Sequence, residues 1–204
     1  MNPLLSACNR VSRVFAWAGG ALLLCSAALI SLDVIFRSLF KATLFESFEL
    51  STYAFAIATA FGLSYALFSR AHIRIEVAYN LLPLKARAVL DVGAYVLLAA
   101  VACVLLYWCA MGVLGNAQSG ARSNSSLAVP LVLPQGLWLA GIAWFALVAV
   151  LSAGVGAWTL LRHGAGPANR LLGVASLKEE IEASAPDLPR HSGPRTTTDR
   201  DPTC

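Results

Sequence analysis

Charge is scarce in this sequence. Its 204 residues include 11 acidic and 15 basic side chains, a charged fraction of 13%, about half of what a water-soluble domain usually carries. With 58% of residues hydrophobic and a mean hydropathy of +0.69, a chain of this size has too little polar surface to enclose its apolar side chains in water. The composition therefore belongs to the membrane class. The formal excess of +4 is scattered along the chain, not gathered into a stripe, which gives no basis for nucleic-acid binding.

Histidine is equally scarce. His72, His163 and His191 all fall outside the long apolar runs, so a four-helix haem protein, which needs axial histidines within its spans, is excluded. The five cysteines, Cys8, Cys25, Cys103, Cys109 and Cys204, form no C-x-x-C pair and no metal-ligand spacing. Cys25, Cys103 and Cys109 lie in apolar runs, where a thiol behaves as a small hydrophobe. There is no H-E-x-x-H and no phosphate-binding loop, and "GVGAWT" at 154–159 lacks the third glycine of a dinucleotide fingerprint. No serine or cysteine is placed beside a histidine as a nucleophile would be. The expectation is a protein that is not an enzyme and carries no cofactor or metal.

Long apolar runs are what the sequence has in abundance. About 20 apolar residues cross the ~30 Å hydrocarbon layer at 1.5 Å per residue. Four segments qualify, at about 14–36, 48–68, 88–115 and 134–161. The first follows Arg10 and Arg13, as a secretory signal would, but it is longer than a signal core and lacks a small-residue cleavage site. A retained anchor is expected. The fold class is thus an all-α integral membrane protein of four transmembrane helices.

Loop charge sets the expected orientation. Arg10 and Arg13 precede the first span, Arg70, Arg74, Lys85 and Arg87 lie between the second and third, and Arg162 and Arg170 follow the fourth. The opposite side holds Arg37, Lys41 and Arg122. The positive-inside rule then places both termini and the middle loop in the cytoplasm. The expected organisation is a cytoplasmic N-terminus at 1–13, a membrane domain at 14–162 and a cytoplasmic, largely disordered tail at 163–204. Within the tail "SLKEEIEA" is expected to form a short helix capped by Ser176 and Glu179. Rows of small residues at four-residue spacing, Ala56–Ala60–Ser64, Ala58–Gly62, Ser152–Gly156 and Ala153–Ala157, mark plausible helix contacts.

The candidate functional residues are the ionisable ones near span ends. Asp33, Glu46, Glu49 and Asp91 are carboxylates at membrane depth or its edge, where ion coupling is one role and structural pairing the other. Pairing is preferred. Asp33 and Arg37 stand four apart on one helix, a bridge from Arg37 to Glu49 would staple the first two helices, and Asp91 is within reach of Lys85, Arg87 or the middle loop. The run "RAHIRIE" at 70–76 is the densest ionisable stretch. It suits a short cytoplasmic segment at the membrane interface between the second and third helices, with His72, Arg74 and Glu76 as subunit-contact candidates. A transport site of the chain's own would call for broken helices or internal symmetry, and neither is visible.

Four elements resemble the small membrane subunit of the tripartite ATP-independent periplasmic (TRAP) transporters, the DctQ-like family. "DVIFRSLF" closes the first span with Arg37, and "FESFELSTYAF" opens the second with Phe45, Glu49, Leu50 and Tyr53. Ser47 and Phe48 depart from the family's acidic entry there, and Phe45 replaces its usual tryptophan. The stretch from Gly62 through His72, Ile73 and Glu76 to Leu82, Pro83 and Arg87 is similar to the family's middle loop, with Glu76 where aspartate is more frequent. "SSLAVPLVLPQG", with Pro130 and Pro134, resembles the loop before the fourth span. The likeness covers about residues 14 to 162.

The resemblance implies a small permease subunit in the bacterial inner membrane that braces a large transport subunit. That partner would hold the substrate and the sodium coupling, and a periplasmic solute-binding protein would deliver a carboxylate-type solute. Membrane lipid is the remaining expected partner. An accessory subunit of another bacterial membrane complex, or a small free-standing transporter, is the alternative.

Overall fold

A computed structural model describes residues 3–41, 46–69, 83–125, 128–164 and 166. They form four helices: α1 (Pro3–Phe40), α2 (Ser47–Phe68), α3 (Leu84–Ser119) and α4 (Val132–His163). All four are long and apolar enough to cross a membrane. At 22 residues α2 spans about 33 Å, just the hydrocarbon thickness, and the 38, 36 and 32 residues of α1, α3 and α4 reach beyond it. α1 begins well before residue 14 and runs on through Asp33. A lone acid does not end a helix whose backbone bonds continue, provided the carboxylate finds partners.

The ends have local causes. Pro83, extended at φ −64° and ψ 150°, precedes the first turn of α3, since it has no N–H to give an upstream turn. Gly120 closes α3 in the left-handed region at φ 62°, its N–H bonded to the Asn116 carbonyl. Lys41 takes the same region at φ 53° after α1, donating its N–H to the Arg37 carbonyl at 3.0 Å.

The helices pack as two antiparallel hairpins, α1 with α2 and α3 with α4, joined by contact between α2 and α4. The spatial order is α1–α2–α4–α3. Half of the most apolar stretch of α4 is buried and 11% of that of α1, which makes α4 the central element and α1 an edge. In lipid this join cannot rely on hydrophobic segregation, so it depends on close backbone approach. Gly141 of α4 meets α2 where an added Cβ would lie 2.8 Å from the Ala60 Cβ and 3.1 Å from its carbonyl carbon. Gly19 of α1 meets the same helix from the other side, an added Cβ lying 3.1 Å from the Ala58 carbonyl oxygen. The small-residue rows through Ala58, Ala60 and Ser64 are indeed buried. Gly62, however, has nothing within 4 Å of its Cβ position and is not a contact.

The α3–α4 seam carries the largest core cluster. Val92, Tyr95, Ala99 and Ala102 are buried at alternating spacings of three and four, the left-handed coiled-coil period. Opposite them lie Phe145, Ala146, Val148, Ala149 and Ala153, with Leu67 added from α2. On the α1–α2–α4 side, Phe15 packs against Phe61 (4.9 Å between centroids) and edge-on to Trp144 (5.7 Å). Trp144 Nε1 donates to the fully buried Ser12 hydroxyl at 3.0 Å. The outer faces of α1 and α3 expose large apolar side chains, Leu24, Ile35 and Phe40 on one and Leu97, Val104 and Trp108 on the other, as lipid or protein contact requires. Arg162 stacks over the Trp158 ring at 4.6 Å near the end of α4.

Candidate functional site

The polar side chains gather at the end of the bundle where α1 meets α2 and α3 meets α4. Asp33 is 1% exposed on α1. A carboxylate at that depth must be paired and hydrogen-bonded. Arg37, one turn later, donates to its Oδ2 at 3.1 Å, and Ser47 from the first turn of α2 donates to the same oxygen at 2.9 Å. The hairpin is therefore stapled by Asp33 to Ser47. Arg37 closes the triad while its own side chain stays 59% exposed.

The expected bridge from Arg37 to Glu49 does not form. Arg37 has Asp33 on its own helix at the favourable i,i+4 spacing, and Glu49 is engaged elsewhere. Tyr53, one turn along α2, donates its hydroxyl to Glu49 Oε1 at 2.5 Å. Ser125, in the loop between α3 and α4, donates to Oε2. Glu49 thus ties α2 to the α3–α4 loop and takes no part in joining α2 to α1.

That loop is built to present Ser125. After the turn at Gly120 an isolated antiparallel bridge pairs Arg122 with Pro130. Ser123 N–H donates to the Val129 carbonyl at 2.9 Å, and Leu131 N–H to the Ala121 carbonyl at 3.1 Å. The Arg122 guanidinium reaches the Ala128 carbonyl at 3.4 Å. Beneath it Asn116 of α3 donates to Gln135 Oε1 of α4 at 2.8 Å. Ser47 and Tyr53 lie within "FESFELSTYAF" and Ser125 and Gln135 within "SSLAVPLVLPQG", whereas Asn116 lies in no motif. In none of the five does the sequence announce the hydrogen bond that the residue makes.

Replacing Glu49 by alanine removes the acceptor shared by Tyr53 and Ser125. Amide hydrogen exchange across residues 120–131 is expected to accelerate while exchange in α3 and α4 stays unchanged, because the loop loses its tie to α2 and the helices keep theirs. Unchanged loop protection would contradict this role for Glu49.

Asp91 lies at the opposite end of the bundle. It is 2% exposed on α3, four residues after Arg87 and four before the buried Tyr95, a spacing that puts all three on one face of the helix. The structure thus places Arg37 and Glu49 at one end in separate networks and Asp91 at the other. His72, Arg74 and Glu76, with the proposed interfacial segment and the tail helix, lie outside the described residues.

Among the described residues, no group of three or more histidine, cysteine, aspartate or glutamate side chains is placed to hold a metal ion. Every buried side-chain nitrogen and oxygen there has a hydrogen-bond partner. The arrangement ties helices and loop together.

Compared with known families, residues 26–158 match the family described as tripartite ATP-independent periplasmic transporters, DctQ component. No curated protein and no solved structure matches the chain.

Proposed function

The chain belongs to the DctQ component family of the TRAP transporters, and from that premise we propose that it braces the large permease subunit and holds no substrate site of its own. As a member of this family it is a multi-pass membrane protein and a small permease subunit that works with a large permease and a solute-binding protein. The bracing role is supported by one observation above the rest. The half-buried polar side chains at the loop end of the described bundle, with the buried Asp33, are engaged by its own helices and loop, and no buried side-chain nitrogen or oxygen among the described residues lacks a hydrogen-bond partner, whereas a transport site needs polar groups left for the solute.

The solute is then a carboxylate, recognised by the partners, with sodium coupling in the large subunit. The protein lies in the bacterial inner membrane with both termini in the cytoplasm, in keeping with the arginine and lysine bias of its loops. His72, Arg74 and Glu76 serve contact between subunits on that side.

Reconstitution tests this directly. The small chain alone in liposomes is expected to give no uptake, and the small chain with its large subunit and binding protein to give sodium-dependent uptake of a carboxylate. Uptake by the small chain alone would refute the bracing role. His72→Ala and Glu76→Ala are expected to weaken copurification with the large subunit or lower uptake, and to leave the order of preference among solutes unchanged. A changed order would assign this segment to specificity.

A further inference from the structure

The exposed side of α1 holds an open groove of about 800 Å³. Its floor is Ala16, Gly20, Ala21 and Ala27, its walls include Trp17, Leu24 and Tyr65, and Arg13 stands at one end. Arg13, Trp17, Gly20, Leu24 and Ala27 follow one another at spacings of four and three, so they form a single stripe along the helix. We propose that this groove is a binding site for one phospholipid, its phosphodiester on Arg13 and an acyl chain along the small residues toward Ala27.

Three observations favour a lipid over a helix from a partner protein. Length is the first. Arg13 to Ala27 covers about 21 Å of helix axis, the depth of one leaflet with its headgroup region (about 20–22 Å), whereas a docking helix would need a track across both leaflets. The groove stops at Ala27, well short of the end of α1 at Phe40.

Charge is the second. The lining is apolar apart from its end, where the Arg13 guanidinium has no ion pair or hydrogen bond among the described residues. A planar guanidinium suits bidentate contact with phosphate oxygens. The third is the pair of amphipathic rings, Trp17 and Tyr65, which are 77% and 37% exposed near the same end. Such rings settle at headgroup level. The site rests on α1 lying in a membrane, and does not depend on the bracing role.

Native mass spectrometry of the full chain in detergent, titrated with phosphatidylglycerol and in parallel with diacylglycerol, tests the site. The wild type is expected to retain one phosphatidylglycerol in preference to diacylglycerol. Arg13→Ala should weaken that retention roughly five-fold, the effect of one basic side chain near an anionic surface. Gly20→Leu should abolish it by filling the floor. Nothing lies within 4 Å of a Cβ at Gly20, so this variant keeps the bundle intact, which an unchanged unfolding temperature confirms.

Equal retention of the two lipids would overturn the proposal, as would retention insensitive to both substitutions. A photocrosslinker at Ala21 in the assembled transporter gives the other decisive outcome, since capture of a large-subunit helix there would assign the groove to protein. None of these readouts involves uptake, so failure of the lipid site and failure of the bracing role remain distinguishable.

Discussion

Gly141→Leu is expected to separate α2 from α4 and to lower the unfolding temperature of the purified protein by roughly 6–12 °C or more, the equivalent of about 3 kcal/mol in a chain of this length. A Cβ at residue 141 would sit 2.8 Å from the Ala60 Cβ, with the Ala60 carbonyl carbon at 3.1 Å and the Phe61 nitrogen at 3.2 Å. Two of these three atoms are backbone, so no rotamer change relieves the overlap and the helices must move apart. Gly141→Ala should show the same effect at smaller size. Adding Ala60→Gly to it should restore part of the loss by removing the nearest atom, while the two backbone contacts keep the rescue incomplete. Gly62→Ala is the control. With nothing within 4 Å, it is expected to be neutral or to stabilise by up to about 1 kcal/mol through helix propensity. Thermal unfolding of the four variants in one detergent measures all of this. Equal effects at Gly62 and Gly141 would refute close approach as the basis of the α2–α4 join.

Arg37→Ala is expected to destabilise the α1–α2 hairpin by about 1–3 kcal/mol, the lower part of the range applying because the Arg37 side chain is 59% exposed and screened. The cost arises from what it leaves behind: Asp33, at 1% exposure, would keep its negative charge without the guanidinium. The reverse change is milder, since Asp33→Asn leaves a group that still accepts from Ser47 and a guanidinium that water can reach. The double variant Arg37→Ala with Asp33→Asn should therefore be more stable than Arg37→Ala alone. Unfolding temperatures of the three variants decide it, and a double variant less stable than both singles would show that the pair does not act as described. Arg37→Lys should recover part of the stability, as a point charge in place of a fork.

Much of the architecture was legible because a bilayer imposes a coarse rule. Four apolar runs of sufficient length leave helices as the only way to satisfy every backbone group in lipid, and the four helices stand where those runs do. The helix ends were less legible. α1 starts at Pro3 and α3 runs from Leu84 to Ser119, since a helix does not stop where hydropathy falls, only where a residue such as Pro83 or Gly120 stops it. The pairing of Asp33 with Arg37 could be read from their four-residue spacing. The tie from Glu49 to Ser125 could not, because the two are 76 positions apart and no local spacing relates them.

The glycines show the same division. Gly62 lies in a small-residue row and has nothing within 4 Å of its Cβ position, whereas Gly19 and Gly141 lie in no such row and are the glycines whose Cβ positions meet α2. A row marks a helix face that would accept a neighbour. Whether a neighbour arrives depends on how the hairpins are laid side by side.

By itself the sequence determined that this is a four-helix membrane protein and, through scattered motifs, the family to which it belongs. Those properties are spread over many residues, as sums of transfer free energy and as short motifs, and they need no knowledge of contacts. Only the tertiary structure decided the order α1–α2–α4–α3, the turning of Glu49 away from Arg37 toward the α3–α4 loop, and the groove beside Arg13. Each of these depends on the mutual placement of side chains on different helices, which in lipid is fixed by van der Waals fit at a few small residues and by single hydrogen bonds.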